Sequence, residues 1–223
     1  MPGEITPRLF RFFAELARHN DRAWFEDNKA RYLEEVRDPL LRFVEAFGPR
    51  LARISRHMTA DPRPVGGALF RIHRDTRFSR DKSPYKTHAG LSFRHAAGRD
   101  VHAPIFYLHL QPNMVFAAAG MWRPPAEAVK QVRDAIVAKP DAWRRAVRAC
   151  SLSHDEDRLR RPPRGYDPQH PLVEDLKRQT FITSTHFTQA QACAPDFGDR
   201  FARACRSATP LMRFLTGAVG LRW

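Results

Sequence analysis

Between Phe70 and His88 the chain carries its densest run of side chains able to do chemistry. Six of these nineteen residues are Arg or Lys and two are Asp, a local formal charge of +4. A guanidinium presents a planar fork to paired oxygens, and ammonium and hydroxyl groups add directed donors. The mixture suits an anion, phosphate above all. Arg71, Arg77, Lys82 and Lys86 would bring charge, Tyr85 a hydroxyl, and Asp75 a carboxylate to hold the arginines. Pro84 stiffens the segment, so these donors would be in place before a ligand arrives. Adding His73 and Arg74 completes the candidate binding set. No residue in it is singled out as catalytic.

The same residues have a purely structural reading. Alternation puts Arg71 and His73 on one strand face and Arg74 on the other, beside Phe70 and Ile72. A buried, uncompensated charge costs several kcal/mol, so Arg74 and Arg77 need Asp75 and Asp81. At least one of Arg71, Arg74 and Arg77 is therefore expected to be largely buried and bonded to one of these acids. Such a network could simply pin an irregular loop to a sheet. It could equally orient residues that bind.

The elements that must position this cluster follow from hydrophobic period. Thr6 and Pro7 open a helix through Leu9, Phe10, Phe13 and Leu16. Asp21 caps a second, through Trp24, Phe25, Tyr32, Leu33 and Val36. Pro39 is expected to break it and start a third through Leu40, Phe43, Val44, Phe47 and Leu51. Period two then takes over. Strands are expected over 68–74, 90–94, 104–111 and 114–120, with a turn near Ala97–Asp100 and a hairpin over Pro112-Asn113. Residues 75–86 lack a period, and a long irregular segment in a compact domain is more often functional than not. Helices return after Pro124-Pro125, through Val129, Val132 and Ile136. Others are expected over 142–150, 197–206 and 211–219, with an edge strand at Phe181–Thr183. No crossover helices separate the central strands. The fold class is thus α+β: a mostly antiparallel sheet from the central third, packed with helices from the N- and C-terminal thirds.

Composition limits the function classes. The chain has 223 residues, 43% hydrophobic, enough for a full core. No apolar run approaches the length of a bilayer span, and no signal peptide is evident, so a cytoplasmic protein without a membrane partner is expected. Cys150, Cys193 and Cys205 lack CxxC spacing and read as reduced thiols. No metal site, cofactor motif or nucleotide loop is present: there is no HExxH, Walker loop, GxGxxG or GxSxG. The net charge is +14, with 32 Arg to six Lys. That excess favours an anionic small molecule or nucleic acid as partner, although scattered Arg can also reflect a GC-rich genome. Two of the six Lys, Lys82 and Lys86, fall inside the cluster. Trp24 with Phe25 reads as core rather than a base-stacking platform. His88, His95, His102 and His109 recur every seven residues, a period that alternates faces on a strand and so reads as coincidence.

The run Arg71-x-x-Arg74-Asp75-x-Arg77-Phe78-x-x-Asp81-Lys82-x-x-Tyr85 resembles the hallmark of a conserved bacterial and fungal family catalogued as domain of unknown function 2461. Four further stretches are similar to that family: Trp24-Phe25-x-x-Asn28-Lys29-x-x-Tyr32, Tyr107-Leu108-His109, Trp122-x-Pro124, and Pro163-Arg164-Gly165-Tyr166 with His170-Pro171. The resemblance implies one domain over 1–223 and no particular activity. Arg164, Tyr166 and His170, in a charged proline-rich loop, are candidates for a lid over the Arg71 face; the loop could equally be plain solvated chain. The leading expectation is a protein that binds a phosphorylated or otherwise anionic small ligand. The alternatives are nucleic-acid binding through a basic surface and a structural or partner-binding module.

Overall fold

A computed structural model describes residues 3–97 and 103–223. The expected turn at Ala97–Asp100 and His102 fall largely or wholly outside them. Helix α1 (Pro7–Arg18) buries Leu9, Phe10, Phe12, Phe13 and Leu16 along one face. Asp21 caps α2 (Arg22–Asp27) by accepting from the Trp24 N–H at 2.9 Å. Short α3 (Lys29–Tyr32) then runs through a π-helical turn, Leu33–Arg37, into α4 (Asp38–Ala52). The break expected at Pro39 does not occur. Proline has no N–H to donate and crowds the preceding turn, and the wider π turn ahead of it absorbs the mismatch while the helix continues.

The sheet has order β1-β2-β3-β4-β5 and every pairing is antiparallel: β1 (Met58–Thr59), β2 (Ala89–His95), β3 (Ile105–Gln111), β4 (Met114–Met121) and β5 (Phe181–Phe187). The β3–β4 hairpin turns on Pro112-Asn113 as the sequence requires. Proline presets its own φ and Asn113 takes φ of 63°, which Asn tolerates. Residues 68–74 do not make the expected continuous strand. Leu69 bridges to Leu91, with Phe70 donating to Gly90 and Ser92 to Ala68, and His73 bridges separately to Tyr85. The segment thus leaves β2 after Phe70 and pairs with residues that follow it in sequence.

Parity sets the core face of the sheet, although β2 is buried on both faces. Leu91, Phe93, Phe106, Leu108, Leu110, Val115, Ala117 and Ala119 point to one face and join the main core. There Phe47, Phe93 and Phe201 meet at ring-centroid distances of 4.7–5.6 Å. The helices that follow β4 also sit on this side: α5 (Ala126–Ala138), α6 (Pro140–Ala149), α9 (Phe197–Ser207) and α10 (Thr209–Ala218), with the short turns α7 (Val173–Leu176) and α8 (Gln189–Ala192). A second cluster under α5, α6 and α10 gathers Val132, Ile136, Trp143, Phe181, Leu211 and Leu215. Among the described residues no helix is long and apolar enough to cross a membrane. The fold is therefore two layers, helices on one side and a sheet whose other face lies away from them.

Candidate functional site

The cluster read from the sequence folds into two parts with different fates. Its ends pair as a short antiparallel ladder, Arg74 N–H to the Pro84 carbonyl and Lys86 N–H to the Ile72 carbonyl, each at 2.8 Å. In that ladder the N–H and C=O of Tyr85 point outward, and the Asn20 side-chain amide takes both: its carbonyl oxygen accepts at 3.1 Å and its NH2 donates at 3.0 Å. The Tyr85 ring is 3% exposed and stacks on Phe25 at 4.1 Å, with His73 against it at 5.2 Å. Tyr85 is the anchor that fastens the segment to α2. Adjacent residues of an extended chain point to opposite faces, so Tyr85 and Lys86, both in the candidate binding set, do not face one ligand together.

Residues 75–83 form the outer part, and most of their charges are satisfied locally; Arg80 is exposed and bonds to no acid among the described residues. Arg77 grips Asp75 with two donors at 2.7 and 3.0 Å. Arg74 pairs with Asp81, whose carboxylate also accepts from the Ser83 hydroxyl and N–H. The Lys82 ammonium donates to the Thr76 carbonyl at 2.9 Å. The Arg–Asp partners are those the sequence named, yet none is deeply buried: the Arg74 side chain is 26% exposed and that of Arg77 77%. Phe78 is 95% exposed, so the loop stands off the body and its charges reach water without a core. The donors hold Asp75 down to a pKa of about 2.

The other part continues the ladder onto the open face of the sheet. Phe70, Lys86 and His88 lie over β2, where Gly90, Ser92 and Arg94 share their side. Across the register, Gly90 opposes His109 and Ser92 opposes Tyr107, while His109 opposes Phe116 and Phe116 opposes His186. The exposed side of a two-layer fold is ordinarily covered with small or charged polar residues. Here it carries a row of rings: His88 to His109 at 4.5 Å, His109 to Phe116 at 4.7 Å, Phe116 to His186 at 5.8 Å. Gly90 makes the row possible, because a Cβ there would lie 2.6 Å from the Tyr107 hydroxyl and 3.0 Å from the Phe70 ring.

Electrostatically this face is basic and poorly compensated. The Lys86 ammonium and the Arg94 guanidinium both lie over the Phe70 ring, at 5.8 and 5.6 Å from its centroid. Among the described residues neither makes an ion pair with a carboxylate. Burial and the nearby Arg71 charge push the Lys86 pKa below its ordinary value. Lys86 donates to the Arg71 carbonyl at 2.6 Å, which leaves two of its three N–H groups for other partners. Burial, with the charges of His109 and Lys86, pushes His88 down to about 4, and burial lowers His109 as well. Both imidazoles are thus neutral near pH 7. The Tyr107 hydroxyl lies 3.1 Å from His109 Nδ1, and His109 Nε2 lies 3.1 Å from Gln111 Oε1. A neutral ring with its proton on Nε2 satisfies both contacts, with Tyr107 donating. Loss of water pushes Tyr107 up to about 12, so it remains a hydroxyl donor. Among the described residues no three His, Cys, Asp or Glu side chains gather as a metal ion would require.

The family model of a conserved hypothetical protein, DUF2461, matches residues 8–214. The chain belongs to this family. A search of curated proteins finds no match. Membership agrees with the motif at 71–85, whose members are now seen to divide between a self-paired loop, an anchor and the margin of the sheet face.

The lid residues sit elsewhere. The Tyr166 hydroxyl donates to Asp134 at 2.7 Å, and its ring packs on the second core cluster, while His170 Nδ1 accepts from the Leu172 N–H. Arg164 is exposed. These contacts tie the 163–172 loop to α5 and to itself, so it does not cover the Arg71 face. Trp24 and Phe25 pack with the core. Sequence reasoning missed Asn20, Gly90, Arg94, Tyr107, His109 and Phe116 as site residues. His88 and His109, whose spacing reads as coincidence in the sequence, meet on this face at 4.5 Å. Alternation within each strand, combined with the β2–β3 register, was the signal that could have joined them.

Proposed function

We propose that this chain binds a phosphorylated or otherwise anionic small ligand on the open sheet face, at its β2 margin. One observation carries the reading. Two cations, Lys86 and Arg94, converge on one aromatic ring in a half-buried setting where no described carboxylate neutralises them. Like charges held together out of water favour an incoming anion. Arg71 adds charge nearby, and the Ser92 hydroxyl accepts from Arg94 Nε at 3.2 Å, which holds that guanidinium on the face. The 75–83 loop supplies little to the ligand, since Asp75 and Asp81 already occupy Arg77 and Arg74, and Arg80 is out in solvent. Its contribution is to hold the ends of the ladder, and with them Lys86, in register.

Titration with inorganic phosphate and sulfate, read by calorimetry and by melting temperature, tests the proposal. A ligand at about 100 times its Kd should add roughly 2.7 kcal/mol of stability. Lys86→Met and Arg94→Met should each weaken binding about tenfold, the loss expected for one charge-assisted contact. Arg77→Ala and Lys82→Ala should leave it unchanged. If the loop variants abolish binding and the sheet-face variants do not, the site is the loop. If no anion binds, the face is scaffold.

A further inference from the structure

The anion reading leaves most of the face unexplained. Phosphate alone needs donors; it has no use for a line of rings running away from the cations. Yet Tyr107 lies 6.1 Å from Phe70 and 6.1 Å from Phe116, centroid to centroid, so the aromatic surface begins where the cations stand and continues inward over β3 and β4. Phe70, Tyr107 and Phe116 are half-buried, and none of them belongs to either core cluster. Beside Phe116 the floor is made of small side chains, Ala118 opposite Ser184. A flat group could rest there with its edge toward Tyr107, which stands opposite Ala118.

Resting on the anion reading above, we infer that the ligand is a mononucleotide: its phosphate is held between Lys86 and Arg94, and its base lies on the Tyr107 and Phe116 rings. The spacing argues for this size. One ribose separates the phosphate and base of a nucleotide, a span comparable to the single 6.1 Å step from Phe70, where the cations stand, to Tyr107. Base–aromatic stacking contributes regardless of which base is present, because every base has a π-face. The charge distribution argues for a single nucleotide rather than a strand. A polymer needs cations along its whole track, but here they gather at the β2 margin. The far end of the ring row, His186 with Ser184 beside it, carries no Lys or Arg.

Calorimetric titration of the whole chain with inorganic phosphate, ribose 5-phosphate, adenosine, AMP, CMP and an eight-residue oligothymidylate tests the inference. AMP and CMP should bind at least about tenfold tighter than ribose 5-phosphate, the gain expected from one stacked base. Phe116→Leu should remove most of that gain while leaving ribose 5-phosphate binding unchanged. The wild-type comparison stands even if the variant folds poorly. Equal affinity for ribose 5-phosphate and the nucleotides overturns the base-stacking inference and leaves the anion site intact. Oligothymidylate binding far tighter than AMP, with a steep salt dependence, overturns it in favour of single-stranded nucleic acid. Failure of every phosphate compound to bind removes the underlying anion reading as well.

Discussion

In and beside the 75–83 loop, Arg77 and Arg74 each have an aspartate within seven residues, and the pairs close on themselves in contact with water. On the open sheet face Lys86 and Arg94 come from separate segments, sit against a ring, and find no such partner among the described residues. Both regions are basic, and both begin in the same stretch of sequence. The first has used most of its charge on its own fold; the second still has charge to offer. Density of charged residues in a sequence therefore locates a region, while the ability to bind depends on which charges the fold leaves uncompensated.

The largest effect should come from the residue that joins the two regions. Tyr85→Ala empties a buried, stacked site and should lower unfolding free energy by about 3–5 kcal/mol in urea titration. Tyr85→Phe should cost less than about 1 kcal/mol, because the ring does the anchoring. A severe loss in Tyr85→Phe, with the fold intact and anion binding abolished, would restore the hydroxyl to a ligand role and blur the distinction.

Gly90→Ala probes the sheet face itself. The added methyl would strike the Tyr107 hydroxyl and the Phe70 ring, an overpacking expected to cost about 1–3 kcal/mol. Combining it with Tyr107→Ala should recover part of that loss in a double-mutant cycle. Full additivity would mean that the ring does not lie across Gly90.

Acid should weaken the sheet face before the loop. His88 has a folded pKa near 4 against an ordinary 6.5, so the unfolded chain takes up the proton first as pH falls. Its contribution is complete above pH 6.5 and is lost progressively between 6.5 and about 4. For a half-buried ring screened by solvent the expected loss is about 1–2 kcal/mol. The drop in stability between pH 7 and pH 4.5 should shrink by that amount in His88→Asn. An unchanged drop would place His88 in water.

The loop should show the smallest response. Asp75→Ala removes the partner of an exposed arginine and should change stability by less than about 0.5 kcal/mol. The large penalty expected for a buried pair does not apply, since the Arg77 side chain is 77% exposed. A loss above about 2 kcal/mol would show that the loop packs against the body in solution.

Local signals by themselves determined much of this protein. Asp21 as a helix cap, Pro112-Asn113 as the hairpin turn, the alternation of β3 and β4, the α+β class and Asp75 and Asp81 as the acids that take Arg74 and Arg77 were all legible, because each depends on residues near one another in the chain; which acid takes which arginine was not. The path of 68–74 was not. Whether Phe70 leaves β2, and whether 72–74 pairs instead with 84–86, depends on Asn20 and Phe25 docking Tyr85 from far along the sequence. The sheet face was hidden for the same reason. Lys86, Arg94, Tyr107, His109 and Phe116 become neighbours only through strand register, which sums contacts over the whole core and leaves no trace in the spacing of any one segment.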